Sequence, residues 1–208
     1  MLVTTPSIMK IIRISALVFA AALASVVQSA ETVPAAPASP LAAPRVRTSP
    51  HETISNVIGD RRTGNRVTIT YGRPYTKDPK TGAPRKIWGS LVAWDKADRL
   101  GADEATLLIT QHPLVMGETT IPAGAYTLYI VPSESGTTKL AFSSNLGKWG
   151  IPVDETKDVA RVALTKATLP TPVDQLTIGV ETDKATENGV LKIQWETTEF
   201  SLPFTVKK

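Results

Sequence analysis

The chain is predicted to be all-β: an antiparallel β-sandwich of jelly-roll-like type, with a closed β-barrel as the runner-up. Three observations predict it. Several segments alternate apolar and polar residues with a period of two, short turn-forming clusters separate many of them, and no segment sustains a helical period. A period of two means strands with one face buried and one wet, and many short strands with regular turns build sandwiches or barrels.

The elements follow in chain order. Met9 to Ala30 has the layout of a secretory signal peptide. Lys10 and Arg13 form a basic start, Ile14 to Val27 is an apolar run broken only by serines, and Ser29-Ala30 closes it with small residues. Met9 is read as the biological start and residues 1–30 as the segment removed. The apolar run is too short for a membrane span, so no span is expected after its removal, and the expected location is the periplasm or the cell exterior. Residues 31–47 carry Pro34, Pro37, Pro40 and Pro44 among alanines and read as a semi-extended linker. Residues 48–208 are then one domain, long enough for a single substantial core.

Within that domain, Val67, Ile69 and Tyr71 alternate with threonines. Tyr126, Leu128 and Ile130 alternate with Thr127 and Tyr129. The same alternation runs through Leu176–Val180, Leu191–Trp195 and Phe200–Val206. Pro203 cannot donate to a ladder and belongs at an edge or bulge. Turns are expected at Met116-Gly117-Glu118, at Ser133 to Gly136, and at Asn188-Gly189, the last as a tight hairpin. Ser90 to Leu100 is expected to form a turn or two of helix that ends at Gly101.

Composition excludes several classes of function. The chain has no Cys, which rules out disulfides, thiol catalysis, zinc–thiolate sites and iron–sulfur clusters. Of the formal charge of +4, Lys10 and Arg13 belong to the signal segment. The scattered remainder, with Arg61-Arg62 its only dense point, gives no reason to expect a nucleic-acid partner. Nothing in the pattern sets an oligomeric state.

Arg85-Lys86-Ile87-Trp88-Gly89, Arg99-Leu100-Gly101-Ala102-Asp103-Glu104-Ala105-Thr106 and Ile121-Pro122-Ala123-Gly124-Ala125-Tyr126-Thr127-Leu128 together resemble the exported bacterial domain-of-unknown-function family 2911. Ser49-Pro50-His51 and Tyr71-Gly72-Arg73-Pro74 fit the family's opening, and Asn145 to Gly150 and the final hairpin fit its close. Two positions depart from its pattern: Asp98 stands where the family usually has Trp, and Asp103 where it usually has Asn. The resemblance implies export and a β-rich fold, and it implies no activity.

The search for chemistry yields little. His51-Glu52-Thr53-Ile54-Ser55 begins like a zincin helix but lacks the second His four residues on. The only other His is His112, so no metal site and no cofactor are expected. Lys80-Thr81-Gly82 and Ser143-Ser144-Asn145 are similar to two penicillin-binding signatures, but Ser-x-x-Lys is missing from residues 48–208 and the order is wrong. One constellation concentrates charge and aromatics around loops: Tyr71, Arg73, Arg85, Trp88, Trp94, Arg99, Asp103, Glu104 and Trp149. Arg forks grip carboxylates or phosphates, and Trp faces stack on sugars. All but Trp94 are taken as candidate ligand contacts. The bland alternative is internal ion pairing, Arg99–Glu104 or Arg73–Asp103, with the tryptophans as core. If a strand begins at Asp103, Asp103 and Glu104 point to opposite faces and cannot act as a pair. The expected function is a non-catalytic β-sandwich binding a small polar ligand or envelope glycan. The alternatives are a hydrolase using Glu104 or Asp103, and a structural or interaction protein of the envelope.

Overall fold

The computed structural model describes residues 47–208 apart from Lys184; the expected signal peptide, and all of the expected linker but Arg47, lie outside the described residues. The described residues form eleven strands, and the five alternating segments fall in β2, β7, β10 and β11: β1 (His51–Ile58), β2 (Asn65–Gly72), β3 (Asp98–Arg99), β4 (Thr106–Thr110), β5 (Leu114–Met116), β6 (Thr119–Ile121), β7 (Gly124–Val131), β8 (Lys139–Ser143), β9 (Asp158–Ala163), β10 (Thr165–Thr182) and β11 (Asn188–Val206). Seven make one sheet in the order β1-β2-β4-β7-β8-β9, with β3 beside β7. The other four make a second sheet, β10-β11-β5-β6. Every strand pairing is antiparallel.

The two sheets pack as a sandwich. The barrel alternative fails because, among the described residues, the outer strands β1 and β9 of the larger sheet, and β10 and β6 of the smaller, pair with no further strand. The core is built from the inward positions of both sheets: Ile69, Leu108, Leu128 and Phe142 on one side, Ile178, Ile193, Phe200 and Leu202 on the other, all buried. Burying these side chains is the main favourable contribution to folding. No helix among the described residues is long and apolar enough to cross a membrane.

Where the chain passes between sheets, a buried side chain satisfies the backbone. Asn65 donates to Thr110 Oγ1 at 2.9 Å, and its Oδ1 accepts the Gln111 and His112 N–H groups at 3.0 Å each, at the corner between β4 and β5. A buried amide is stable only with its hydrogen bonds made, and this one has three. The connections at Met116-Gly117-Glu118 and Ser133–Gly136 fall where expected, with Gly117 in the left-handed region at φ +59°. Pro203 lies between Ser201, the last residue paired to β10, and Thr205, the first paired to β5, so no ladder needs its missing N–H.

Two expectations are corrected. Residues 90–100 form no helix; their turns and bends lead into β3, whose pairing with β7 replaces intrahelical bonds. The β10–β11 turn lies before Asn188-Gly189, because Gly189 already pairs with Thr182. Gly189 serves packing instead: a Cβ there would lie 2.4 Å from the Phe204 ring.

The free side of β10 is held by β2 and the segment after it. The Tyr71 hydroxyl accepts the Ile178 N–H at 2.9 Å and donates to Glu52 Oε2 at 2.7 Å. Arg73 donates from Nε to the Leu176 carbonyl at 3.1 Å and from Nη2 to Thr177 Oγ1 at 2.9 Å, and its Nη1 lies 3.4 Å from Glu52. Burial pushes the Tyr71 phenol up to about 12, so it remains a neutral donor. Tyr71→Phe strands the Ile178 N–H and is expected to cost about 1–3 kcal/mol. Chemical denaturation checks this, and a loss below a few tenths of a kcal/mol would show that the clamp carries no stability.

Candidate functional site

Two clefts flank the turn Gly101–Ala105, and each takes in some of the candidate residues. The turn is fixed by backbone chemistry. Asp103 sits in the left-handed region at φ +63°, the Ala102 N–H donates to the Gly72 carbonyl at 3.3 Å, and the Ala105 N–H donates to the Lys148 carbonyl at 3.2 Å. Gly72 allows the close approach, since a Cβ there would lie 2.2 Å from the Ala102 oxygen.

The first cleft has a volume of about 450 Å³ and is walled by the turn, by Arg47 and by the loop Gly147–Trp149. Its floor is a row of cross-strand partners, Thr70 on β2, Leu107 on β4 and Thr127 on β7. Strand alternation turns this row away from the core that Ile69, Leu108 and Leu128 fill. One end of the cleft is charged. Arg47 grips both oxygens of Glu104 and lies 3.6 Å from Asp103 Oδ2. His51 Nε2 stands 3.2 Å from Asp103 Oδ2, 3.6 Å from Glu104 Oε2 and 2.9 Å from Arg47 Nη1. The hydrogen bonds from Arg47, with a backbone N–H, hold the Glu104 carboxylate down at about 2. Trp149 also lines the cleft and is 54 % exposed, with the Arg99 guanidinium over its ring at 5.3 Å from the centroid.

Asp103 and Glu104 are therefore not on opposite faces. No strand begins at Asp103; β4 starts at Thr106, and the left-handed turn brings both carboxylates to Arg47 and His51. The expected ion pairs are also corrected. Arg73 pairs with Glu52 rather than Asp103, because Glu52 is one strand away on β1, directly opposite Tyr71. Glu104 pairs with Arg47 rather than Arg99. Arg99 instead donates to the carbonyls of Asp103 and Trp149, tying the turn to the Trp149 loop. Gly150, at φ +89°, lets that loop pack there, since a Cβ would meet Ala105 Cβ at 3.0 Å and Arg99 Cβ at 3.1 Å.

The second cleft, of about 230 Å³, lies on the other side of the turn, where Arg85, Asp98, Arg99 and Trp195 share its walls with Tyr75, Leu91 and Ile151. Burial pushes the Asp98 carboxyl up to about 6, against the opposing pull of Arg99. Arg85 donates to the Tyr75 carbonyl.

The nine singled-out residues thus separate. Glu104 and Trp149 line the first cleft, with Asp103 at its charged end, while the Tyr71 side chain is buried against β10. Arg85 and Arg99 line the second. Arg73 is part of the sheet clamp. Trp88 is buried in the core, edge-on to Trp195 at 6.3 Å and to Phe200 at 5.2 Å. Trp94 is half-buried, with Lys166 over its ring at 5.8 Å. Sequence reasoning missed Arg47, placed in the linker, and His51, weighed only as a metal ligand. It also missed Asp98, noted only as a departure from a family pattern, and Trp195. His51 had a legible signal: β1 repeats the period of two over Thr53 and Ser55, which would have set His51 on their face.

The family described as "Protein of unknown function (DUF2911)" has a model that matches residues 49–204. No curated protein and no solved structure matches the chain.

Proposed function

The chain belongs to this family of proteins of unknown function, and from that premise we propose that it is a non-catalytic β-sandwich binding a small polar ligand, most suitably an envelope glycan, in the periplasm or outside the cell. The observation that carries the reading is the half-exposed Trp149 in the lining of the same 450 Å³ cleft as the charged Arg47, His51 and Glu104. Sugars are bound by an aromatic face beneath their C–H bonds and by charged groups that reach their hydroxyls. Trp149 supplies the first; His51, Glu104 and Lys148 supply the second. Arg99 over the Trp149 ring and the Arg47–Glu104 fork hold these groups in place before a ligand arrives, which lowers the ordering cost of binding.

Hydrolysis is the weaker reading. Glu104 is held at about 2 by Arg47, so it is ionised at neutral pH and cannot serve as a general acid there.

The test is calorimetric titration with N-acetylglucosamine oligomers and soluble peptidoglycan fragments. Binding is expected, with Trp149→Ala weakening it about tenfold and leaving the melting temperature unchanged. No binding at millimolar glycan, or a Trp149→Ala variant that binds like the parent, overturns the proposal.

A further inference from the structure

The second cleft carries chemistry of its own besides Arg99, which also packs against Trp149 of the first. Arg85 and Arg99 both line it, and neither forms a salt bridge among the described residues; Arg85 donates to one backbone carbonyl and Arg99 to two. Two N–H groups of its wall residues, Arg85 Nε and Trp195 Nε1, are buried and make no hydrogen bond among the described residues, and Trp195 is only 4 % exposed. Asp98 is the one acidic residue of the lining, and its carboxyl accepts no hydrogen bond among the described residues. Around this polar floor stand three large exposed apolar side chains: Tyr75, Leu91 and Ile151. Guanidinium charge without an acidic contact partner, behind an apolar rim, is complementary to an anion that carries a short apolar tail. The volume of about 230 Å³ is below the roughly 300–1,000 Å³ of sites for drug-sized molecules, so the occupant is small.

We propose that this cleft is a second ligand site, taking a short-chain organic carboxylate whose head group lies against Arg85 and Arg99 and whose tail lies along Tyr75, Leu91 and Ile151. Asp98 then sets the pH dependence. Ionised, it repels the ligand carboxylate; protonated, it can donate a hydrogen bond to it. Besides Arg85 and Arg99, the charged groups around Asp98 are Asp95, Lys96, Glu155 and Arg161, which line a neighbouring hollow with it. Glu155 and Arg161 are paired with each other. Because burial places the Asp98 carboxyl at about 6, binding is expected to tighten as pH falls from about 8 to about 5.5.

The experiment titrates the full chain with hexanoate, with 1-hexanol (tail without charge) and with inorganic phosphate (charge without tail), following tryptophan fluorescence and heat. Saturable hexanoate binding is expected, at least about tenfold tighter than either control. Equal binding of 1-hexanol, equal binding of phosphate, or no hexanoate binding overturns the site. Arg85→Gln is expected to weaken hexanoate about tenfold. Asp98→Asn is expected to tighten it about tenfold at about pH 8 and to flatten its pH dependence; a gain of affinity cannot come from unfolding. An Asp98→Asn protein that binds more weakly, or keeps the parent pH profile, refutes the role given to Asp98. Lys148→Ala, at a residue that lines the first cleft and not the second, is expected to leave hexanoate binding intact, which separates this site from the glycan cleft.

Discussion

Trp88→Ala is expected to destabilise the domain by about 3–5 kcal/mol, while Trp88→Phe costs much less. The indole is 9 % exposed and stands edge-on to Trp195 and Phe200, so truncation to Ala empties the space where the sheets meet the Arg85–Val92 segment. Phe keeps an edge-to-face aromatic partner, worth about 0.5–1.5 kcal/mol beyond its buried area. Phe also removes a buried N–H, since Trp88 Nε1 makes no hydrogen bond. Both variants are measured by denaturant unfolding, with about 2–4 °C of melting temperature expected per kcal/mol for a domain of this size. A Trp88→Ala protein within 1 kcal/mol of the parent would return Trp88 to the set of ligand contacts.

Asp98→Asn is expected to act in the opposite direction, raising stability by roughly 2–3 kcal/mol at about pH 8. The folded protein holds this carboxyl at about 6 against an ordinary 3.8, through burial. A carboxyl raised on folding binds its proton more tightly in the folded state. Stability is therefore highest below the unfolded value, falls as pH rises from 3.8 to about 6, and stays low above that. The Asn variant carries no charge to desolvate and lacks this decline. Unfolding curves at about pH 4 and about pH 8 decide it: the gain should be present at the upper pH and absent at the lower. An equal gain at both would trace the effect to packing, and no gain at the upper pH would show that water or Arg99 compensates the ionised group.

The two experiments bear on function because Trp88 and Asp98 have changed places. Trp88 was read as a ligand contact and is core. Asp98 was set aside and lines a cleft. Nothing in local sequence separates an indole that stands edge-on to Phe200 from one that faces water like Trp149, since both sit in short loops beside glycine. Which of them is buried depends on Phe200, more than a hundred residues away in the chain.

Strands with one face buried and one wet were the easiest to read. The alternations at Val67–Tyr71, Tyr126–Ile130, Leu176–Val180 and Leu191–Trp195 all became strands, because the period of two is imposed by the pleat itself. The turn before Asn188-Gly189 was misplaced because Gly was read for its backbone freedom, whereas Gly189 is needed for its missing Cβ against Phe204. The helix expected at residues 90–100 failed because pairing of β3 with β7 outweighs a weak local preference.

The candidate site was legible as a composition and not as a geometry. Arginines, carboxylates and tryptophans were visible between strands, but their partners were not. Arg47 was assigned to a linker and His51 to a metal motif, yet both meet Asp103 and Glu104 across more than fifty residues. The left-handed turn at Asp103 reversed the inference that neighbouring carboxylates must diverge. By itself, the amino-acid order determined the all-β class and the inward and outward faces of its main strands, since strand periodicity is a local property of consecutive side chains. Only the tertiary structure decided which arginine finds which carboxylate, which tryptophan is buried, and that the residues around Gly101–Ala105 open into two clefts. Those outcomes depend on strand order and on close approaches at Gly72 and Gly150, contacts between segments far apart in the chain.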